Sequence, residues 1–289
     1  MRIAQVAPLM ERVPPRLYGG TERIVSYLTE ELVGQGHDVT LFASGDSLTE
    51  ATLVACCREA LRLDPGVLDI VPHMALMLER VRQRSDEFDV LHFHIDCMQM
   101  PLVRELGSRA VTTLHGRLDL PDLLPFYREF SDVPLVSISD AQRAPMPPVN
   151  WVGTVHHGLP ATAYPAPRVS GDGYLAFLGR ISPEKRPDLA IEIARRAGVP
   201  LRIAAKVDKV DRAYFAEMVE PFIDGRTIQY VGEVDEAERL DFLGNAAALL
   251  FPIDWPEPFG LVMIEAMACG TPTIAFRRGS VPQVIDHGV

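Results

Sequence analysis

Residues 247–276 read AALLFPIDWPEPFGLVMIEAMACGTPTIAF, and this stretch decides the fold. Ala247–Phe251 is a short apolar run suited to a strand covered on both faces. Pro252, Pro256 and Pro258 stiffen the loop that follows, and Gly270 with Pro272 ends a helix before a second apolar strand. Strand, loop, helix and strand make the repeating step of a parallel sheet.

The loop and helix carry candidate chemistry. Pro258 is expected to open the first helical turn, where its missing N–H costs nothing. Phe259, Gly260 and Leu261 then offer backbone N–H groups at the positive end of the helix dipole, a site suited to phosphate, and Gly260 lets a ligand approach the main chain. Glu257 lies just before this helix mouth. With a start near Phe259, Glu265 stands ~9 Å further along the axis. One carboxylate can serve a group at the mouth while the other grips something about a nucleoside's length away. Spacing alone also allows Glu257 as a capping acid and Glu265 as a solvated helical residue.

Working outward, the 289 residues suit two domains of about 100–200 residues each. Lys and Arg total 28 against 39 Asp and Glu, a net charge of -11. That balance argues against a general nucleic-acid or anionic-membrane binder, so an anionic ligand needs a local cationic pocket. Cys56 and Cys57 are adjacent while Cys97 and Cys269 stand alone, which gives neither metal spacing nor a disulfide framework. The N-terminus, MRIAQVAP, enters a strand without a signal-peptide pattern, and no run reaches the ~18 apolar residues of a membrane span. The expectation is a cytoplasmic protein with no integral membrane segment.

From the N-terminus, Arg2–Val6 reads as a buried strand, followed by the loop APLMERVPPRLYGG. Thr21 is expected to cap a helix whose stripe is Ile24, Val25, Leu28, Leu32 and Val33, ended by Gly34 and Gly36. Asp38–Ala43 is the next strand. Gly19 and Gly20 sit where the first strand hands over to its helix, the place of ligand contact in an open α/β sheet. They also suit a tight turn with no ligand. A dinucleotide fold fits poorly, because GGT is not G-x-G-x-x-G and the second strand ends in Phe-Ala-Ser rather than an acid.

Further strands are expected at Val90–Phe93, Ala110–Leu114, Leu135–Ile138 and Val152–Val155, with helices near 68–84, 98–107 and 120–130. His92 and His94 share a face of one strand; without a third ligand they line a strand end or pack there rather than hold a metal. His115 closes a strand in VTTLHG and so lies at the carboxyl edge of the sheet, where it serves a ligand or is structural. The Pro- and Gly-rich run 158–173, GLPATAYPAPRVSGDG, marks the boundary between a domain at 1–162 and one at 163–289.

Beyond it come strands at Tyr174–Leu178, Leu201–Ala205 and Ile228–Val231 and helices near 187–197, 211–222 and 235–244. Two open α/β domains joined by a hinge are expected to leave a cleft between facing strand ends. YLAFLG runs into Gly179, Arg180, Ile181, Ser182, Pro183, Glu184 and Lys185. Arg180 and Lys185 flank a turn where a pyrophosphate would meet them; an unliganded solvated loop fits the same residues.

Four segments in this order, YGGTER, TLHG, GRISPEK and EPFGLVMIE, together resemble the retaining GT-B glycosyltransferases of family 4, the glycosyl transferases group 1. The resemblance covers nearly the whole chain. It implies a GT-B fold of two Rossmann-like open parallel-sheet domains facing across a cleft, the second holding a nucleotide-sugar donor and the first presenting the acceptor. By the same resemblance Arg180 and Lys185 bind the donor diphosphate and stabilise the leaving group. Glu265 binds the ribose hydroxyls, and Glu257 contacts the transferred sugar beside the N–H groups of Phe259, Gly260 and Leu261. Gly19 and Gly20 let the N-terminal loop approach the phosphates, and His115 lies against the sugar.

The resemblance further implies a hexosyltransferase that retains anomeric configuration and needs no metal, in keeping with the lack of an Asp-x-Asp motif placed for a divalent ion. No cofactor is expected. The donor is a nucleotide-diphosphate sugar, a UDP-sugar in the favoured case, and the acceptor a small molecule. The wording of LYGGTERIVSYLTEEL and FPIDWPEPFGLVMIEAMACGTP is similar to glucosyltransferases of reduced pterins. Two departures stand out. Arg186 replaces the glycine common after the GRxxPEK lysine, and the chain stops at VIDHGV, so the second domain reads as short. A nucleotide-sugar binding fragment without transfer activity and a GT-B nucleotide-sugar epimerase stay open as alternatives.

Overall fold

The computed structural model describes residues 1–161, 163–164 and 173–288; Pro165, Pro167 and Gly171 of the expected linker lie outside the described residues. The chain divides into two compact units, Met1–His157 and Gly158–Val289.

The first unit carries strands β1 (Arg2–Val6), β2 (Asp38–Ser44), β3 (Thr52–Cys57), β4 (Val90–Phe93), β5 (Ala110–Thr113), β6 (Leu135–Ser137) and β7 (Trp151–Thr154). Its helices are α1 (Gly20–Gly34), α2 (Val71–Gln83), α3 (Met100–Leu106), α4 (Leu123–Glu129) and α5 (Asp140–Arg143). The strands pair in parallel in the order β3-β2-β1-β4-β5-β6-β7. A parallel sheet is covered on both faces, and β1 accordingly buries Ile3 through Val6, including the polar Gln5. Phe42, Leu91, Phe93, Met77 and Tyr127 are among the side chains that fill the core.

The second unit carries β8 (Leu175–Ile181), β9 (Leu201–Val207), β10 (Ile228–Gly232), β11 (Ala248–Phe251) and β12 (Thr273–Ala275). Between and after them come α6 (Pro187–Ala197), α7 (Arg212–Met218), α8 (Glu236–Gly244), α9 (Leu261–Ala268) and α10 (Val281–Val284). The sheet is parallel in the order β10-β9-β8-β11-β12. Leu250 and Ile203 from its strands are buried with Ile191 of α6. At the β12 edge, Ile274 and Phe276 are exposed. No helix among the described residues is long and apolar enough to cross a membrane.

Both sheets reverse strand order beside the central strand, β1 against β4 and β8 against β11. The crevice outside the carboxyl ends at such a reversal is the usual ligand position in an open α/β sheet. The sequence places Gly19, Gly20 and His94 after β1 and β4, and Lys185 with Glu257 after β8 and β11.

Several local expectations differ from the structure: α5 and α10 were not foreseen, and β8 runs on through Arg180, expected in the turn, to Ile181. β3 was not foreseen. α1 begins at Gly20 with Gly19 in the cap position, so Thr21 is inside the helix; the Arg23 N–H donates to the Gly19 carbonyl at 3.2 Å and closes the first turn. α9 begins at Leu261 rather than near Phe259, because Gly260 takes a left-handed backbone, φ 80°. Pro258 is therefore a loop residue, and Glu265 lies ~6 Å beyond the helix start.

Ile203 is fully buried in β9. Ile203→Ala is expected to lower the unfolding free energy by ~2–5 kcal/mol, the cost of a cavity that neighbours fill only in part. Urea unfolding followed by circular dichroism measures it.

Candidate functional site

In the second unit the candidate residues come together at the carboxyl ends of β8 and β11. The Asp254 N–H donates to the Glu184 carbonyl at 2.9 Å, which ties the loop after β11 to the turn after β8. Across this tie the Lys185 ammonium pairs with Glu257 Oε2. Trp255 Nε1 donates to the same oxygen at 2.9 Å. The Lys185 nitrogen also stands 5.0 Å from the Trp255 ring centre and 5.6 Å from that of Phe251. Glu257 is only 7 % exposed, so the loop carries a nearly desolvated carboxylate whose charge is met by an ammonium and an indole N–H.

Arg180 closes β8, half-buried. Its Nη2 donates to Glu184 Oε1 at 2.8 Å, with Asp208 at 3.8 Å and Asp211 at 3.9 Å. Burial raises the Asp211 carboxyl, opposed by the Arg180 charge. Arg180 and Lys185 thus face one turn, each held by acids that an anionic ligand would displace or share. Arg186 adopts φ 57°, and its guanidinium holds Asp188 at 2.9 Å and reaches Asp254 at 3.6 Å.

The loop before α9 is held from behind. The Ser280 N–H donates to the Glu257 carbonyl at 3.0 Å, and Ser280 Oγ to the Phe259 carbonyl at 2.8 Å. Gly279 passes so close that a Cβ there would lie 2.4 Å from the Glu257 nitrogen. Glu265 is buried in α9, and the Arg239 Nε of α8 stands 3.4 Å from its Oε1. Sequence reading missed Arg239: a single arginine on an amphipathic helix reads as solvated, yet it is 4 % exposed.

In the first unit, Gly19 is buried and Gly20 exposed at the start of α1. Beside them Glu22 is buried, and that burial, reinforced by the Glu11 charge, pushes its carboxyl up to about 7. Glu11 in turn pairs with Arg62. His115 follows β5 and joins a cluster with His92, His94 and His157. The His92 and His94 rings are 4.1 Å apart, and His115 stacks on His157 at 5.2 Å. Burial pulls His92 and His157 down to about 4 and His94 and His115 well below their ordinary value. Among the described residues no group of three or more His, Cys, Asp or Glu is arranged to hold a metal.

Residues 165–289 match the family Glycosyl transferases group 1, and residues 18–141 match Glycosyltransferase Family 4. The chain is 26% identical over 328 residues to glycogen synthase of Mycobacterium tuberculosis (strain ATCC 25618 / H37Rv), covering 95% of this chain and 78% of that one. Its fold is that of sucrose-phosphate synthase from Thermosynechococcus elongatus, with TM-score 0.78, 17% identity, and 97% and 82% of the two chains covered. HepE of Anabaena in complex with UDP and glucose gives TM-score 0.70 and 16% identity over 100% of this chain and 84% of that one. These neighbours share the α/β architecture of two parallel-sheet units, the GT-B class.

Two outcomes follow from this geometry. Gly279→Ala is expected to push the Glu257 segment out of place, lowering stability by ~1–3 kcal/mol and weakening any ligand held there; thermal unfolding and calorimetry read the two effects. The buried imidazoles set an acid limit. Because their folded pKa values lie below the unfolded ~6.5, the unfolded chain takes up protons first, and stability is lost as pH falls below about 6.5. Glu22 acts oppositely, its raised pKa costing stability as pH rises from about 4.5 to 7. Four rings outweigh Glu22 and the carboxyls of Asp96 and Asp211, which desolvation raises in the same sense, so urea midpoints should rise between about pH 4.5 and 6.5, and more steeply in Glu22→Gln.

Proposed function

As a chain made of a stretch matching Glycosyltransferase Family 4 followed by one matching Glycosyl transferases group 1, this protein is, we propose, a retaining, metal-independent hexosyltransferase. It moves a hexose from a nucleotide-diphosphate sugar to a small acceptor. The observation that carries the reading is the Lys185–Glu257 pair, which sets a cation and a carboxylate beside the start of α9 at the strand-order reversal of the second sheet.

In this reading Arg180 and Lys185 hold the diphosphate. As the glycosidic bond breaks, negative charge grows on the departing phosphate, and preplaced cations stabilise it without reorganising. Glu265 accepts from the ribose hydroxyls, with the Arg239 guanidinium beside its carboxylate holding it in place. Glu257 meets hydroxyls of the transferred sugar, and the main chain at Phe259, Gly260 and Leu261 approaches the phosphates. Within the first unit, Gly19, Gly20 and His115 are the residues this reading assigns to ligand contact. Glu257 positions and stabilises charge rather than attacking carbon, since its carboxylate is already engaged by Lys185 and Trp255. The departing phosphate then takes the acceptor proton on the same face. UDP is the favoured nucleotide, supported by the complex of the structural neighbour HepE with UDP and glucose; a reduced pterin is the acceptor class to try first.

Thermal shift with UDP-, GDP- and ADP-sugars selects the donor, because a ligand of the folded state raises apparent stability. Lys185→Ala should lower kcat for transfer by ~10²–10³-fold, as for loss of one charge-stabilising donor. Glu265→Ala should weaken nucleotide binding by ~1–3 kcal/mol in calorimetry. No thermal shift with any donor would remove the nucleotide from this site, and unchanged affinity in Glu265→Ala would remove Glu265 from its binding.

A further inference from the structure

Near the end of β8, Arg180 has all three of its guanidinium nitrogens faced by carboxylates. Nη2 donates to Glu184 Oε1 at 2.8 Å, Nη1 stands 3.8 Å from Asp208, and Nε stands 3.9 Å from Asp211. The backbone keeps Glu184 in this place. The Ser182 carbonyl accepts from the Lys185 and Arg186 N–H groups, which curls the turn back toward Arg180, and the Glu184 carbonyl accepts from the Asp254 N–H. Asp208 is itself paired with Lys206 at 2.6 Å, and Asp211 is buried.

Lys185 and Arg186 are matched as well, the first to Glu257 and the second to Asp188 and Asp254. A phosphate that comes to these cations therefore also comes to their acids. Opposite charges a few ångströms apart leave little net field. Such a site can donate hydrogen bonds to an anion without favouring the anion of greatest charge. Glycosyl transfer turns a capped diphosphate into a free nucleoside diphosphate. The sugar blocks one terminal oxygen, and its departure leaves a phosphate monoester with a second ionisation near pH ~6, hence about one more negative charge at neutral pH.

We propose that Glu184, supported by Asp208 and Asp211, is a specificity-determining residue that biases this site toward the capped nucleotide-diphosphate sugar and against the more highly charged nucleoside diphosphate that transfer leaves behind. The inference rests on the function proposed above. Arg180 binds through its donors, while the carboxylates around it repel the added charge and so speed release of the product.

Calorimetry of the full chain with UDP, its terminal methyl ester and UDP-glucose tests it. The methyl ester carries the charge of the donor without its sugar, so comparison with UDP isolates charge. The wild-type protein is expected to bind UDP no more tightly than the ester, and a preference of about threefold or more for UDP overturns the proposal. Glu184→Gln keeps the shape of the side chain and removes its charge. UDP should then bind about fivefold more tightly, the size of a partly exposed ion pair, and the ester and UDP-glucose should gain less. Equal gains for all three ligands, or losses for all three as a merely structural role would give, overturn it. The wild-type comparison decides even where the variant does not fold. Absence of binding by every ligand defeats the nucleotide reading and the inference with it, whereas binding with an unmoved preference in Glu184→Gln defeats the inference alone.

Discussion

The second unit depends on a charge pair made where two loops meet. Lys185 and Glu257 come from segments 72 residues apart, and each would be costly to bury alone. The pair is sustained by what surrounds it: the Trp255 N–H on the same carboxylate oxygen, the Trp255 and Phe251 rings beside the ammonium, and the main-chain tie from Asp254 to Glu184. A lysine held in this way has lost its freedom before a ligand arrives, so the entropy of ordering it belongs to folding rather than to binding. Everything placed around it, including the start of α9 and the Ser280 bonds behind the loop, keeps that arrangement from relaxing.

The two units treat polarity differently. The second concentrates formal charge, with Arg180, Lys185 and Arg186 each matched to acids and Glu265 matched to Arg239. The first also buries charged groups, Glu11, Glu22 and Arg23, but around His115 it buries neutral ones: Gln5, the histidine cluster, and Gln142, whose amide donates to the Leu114 and Gly116 carbonyls at 2.9 Å and so fixes the chain on both sides of His115. A diphosphate calls for the first kind of surface and hydroxyl groups for the second. The overall charge of -11 makes the small cationic turn after β8 a local exception.

Much of this was legible in the sequence because a doubly covered strand writes a continuous apolar run. Val90–Phe93 and Arg2–Val6 have the expected bounds, and the β8 and β11 segments run into the expected loops. β3 lies at the sheet edge, where Thr52 and Ala55 are exposed and the strand lacks the full cover of a central one. The starts of α1 and α9 escaped for a shared reason: residue preference favours Thr21 as a cap and Pro258 as a first turn, whereas the backbone at Gly19 and Gly260 decided the outcome. Gln5 and Arg239 could not be read at all. Their roles come from neighbours 89 and 26 residues away, and a lone polar residue carries no periodicity that would reveal them.

Arg186 stands with φ 57°, where resemblance leads one to expect glycine. A left-handed backbone costs a side-chain-bearing residue roughly 1–2 kcal/mol, and here the guanidinium offsets it by gripping Asp188 and reaching Asp254. Arginine and those two acids therefore form a set with a shared fate in descent. Lineages that keep glycine at this place are released from the demand for acids at 188 and 254, and the three columns should drift together across an alignment of relatives.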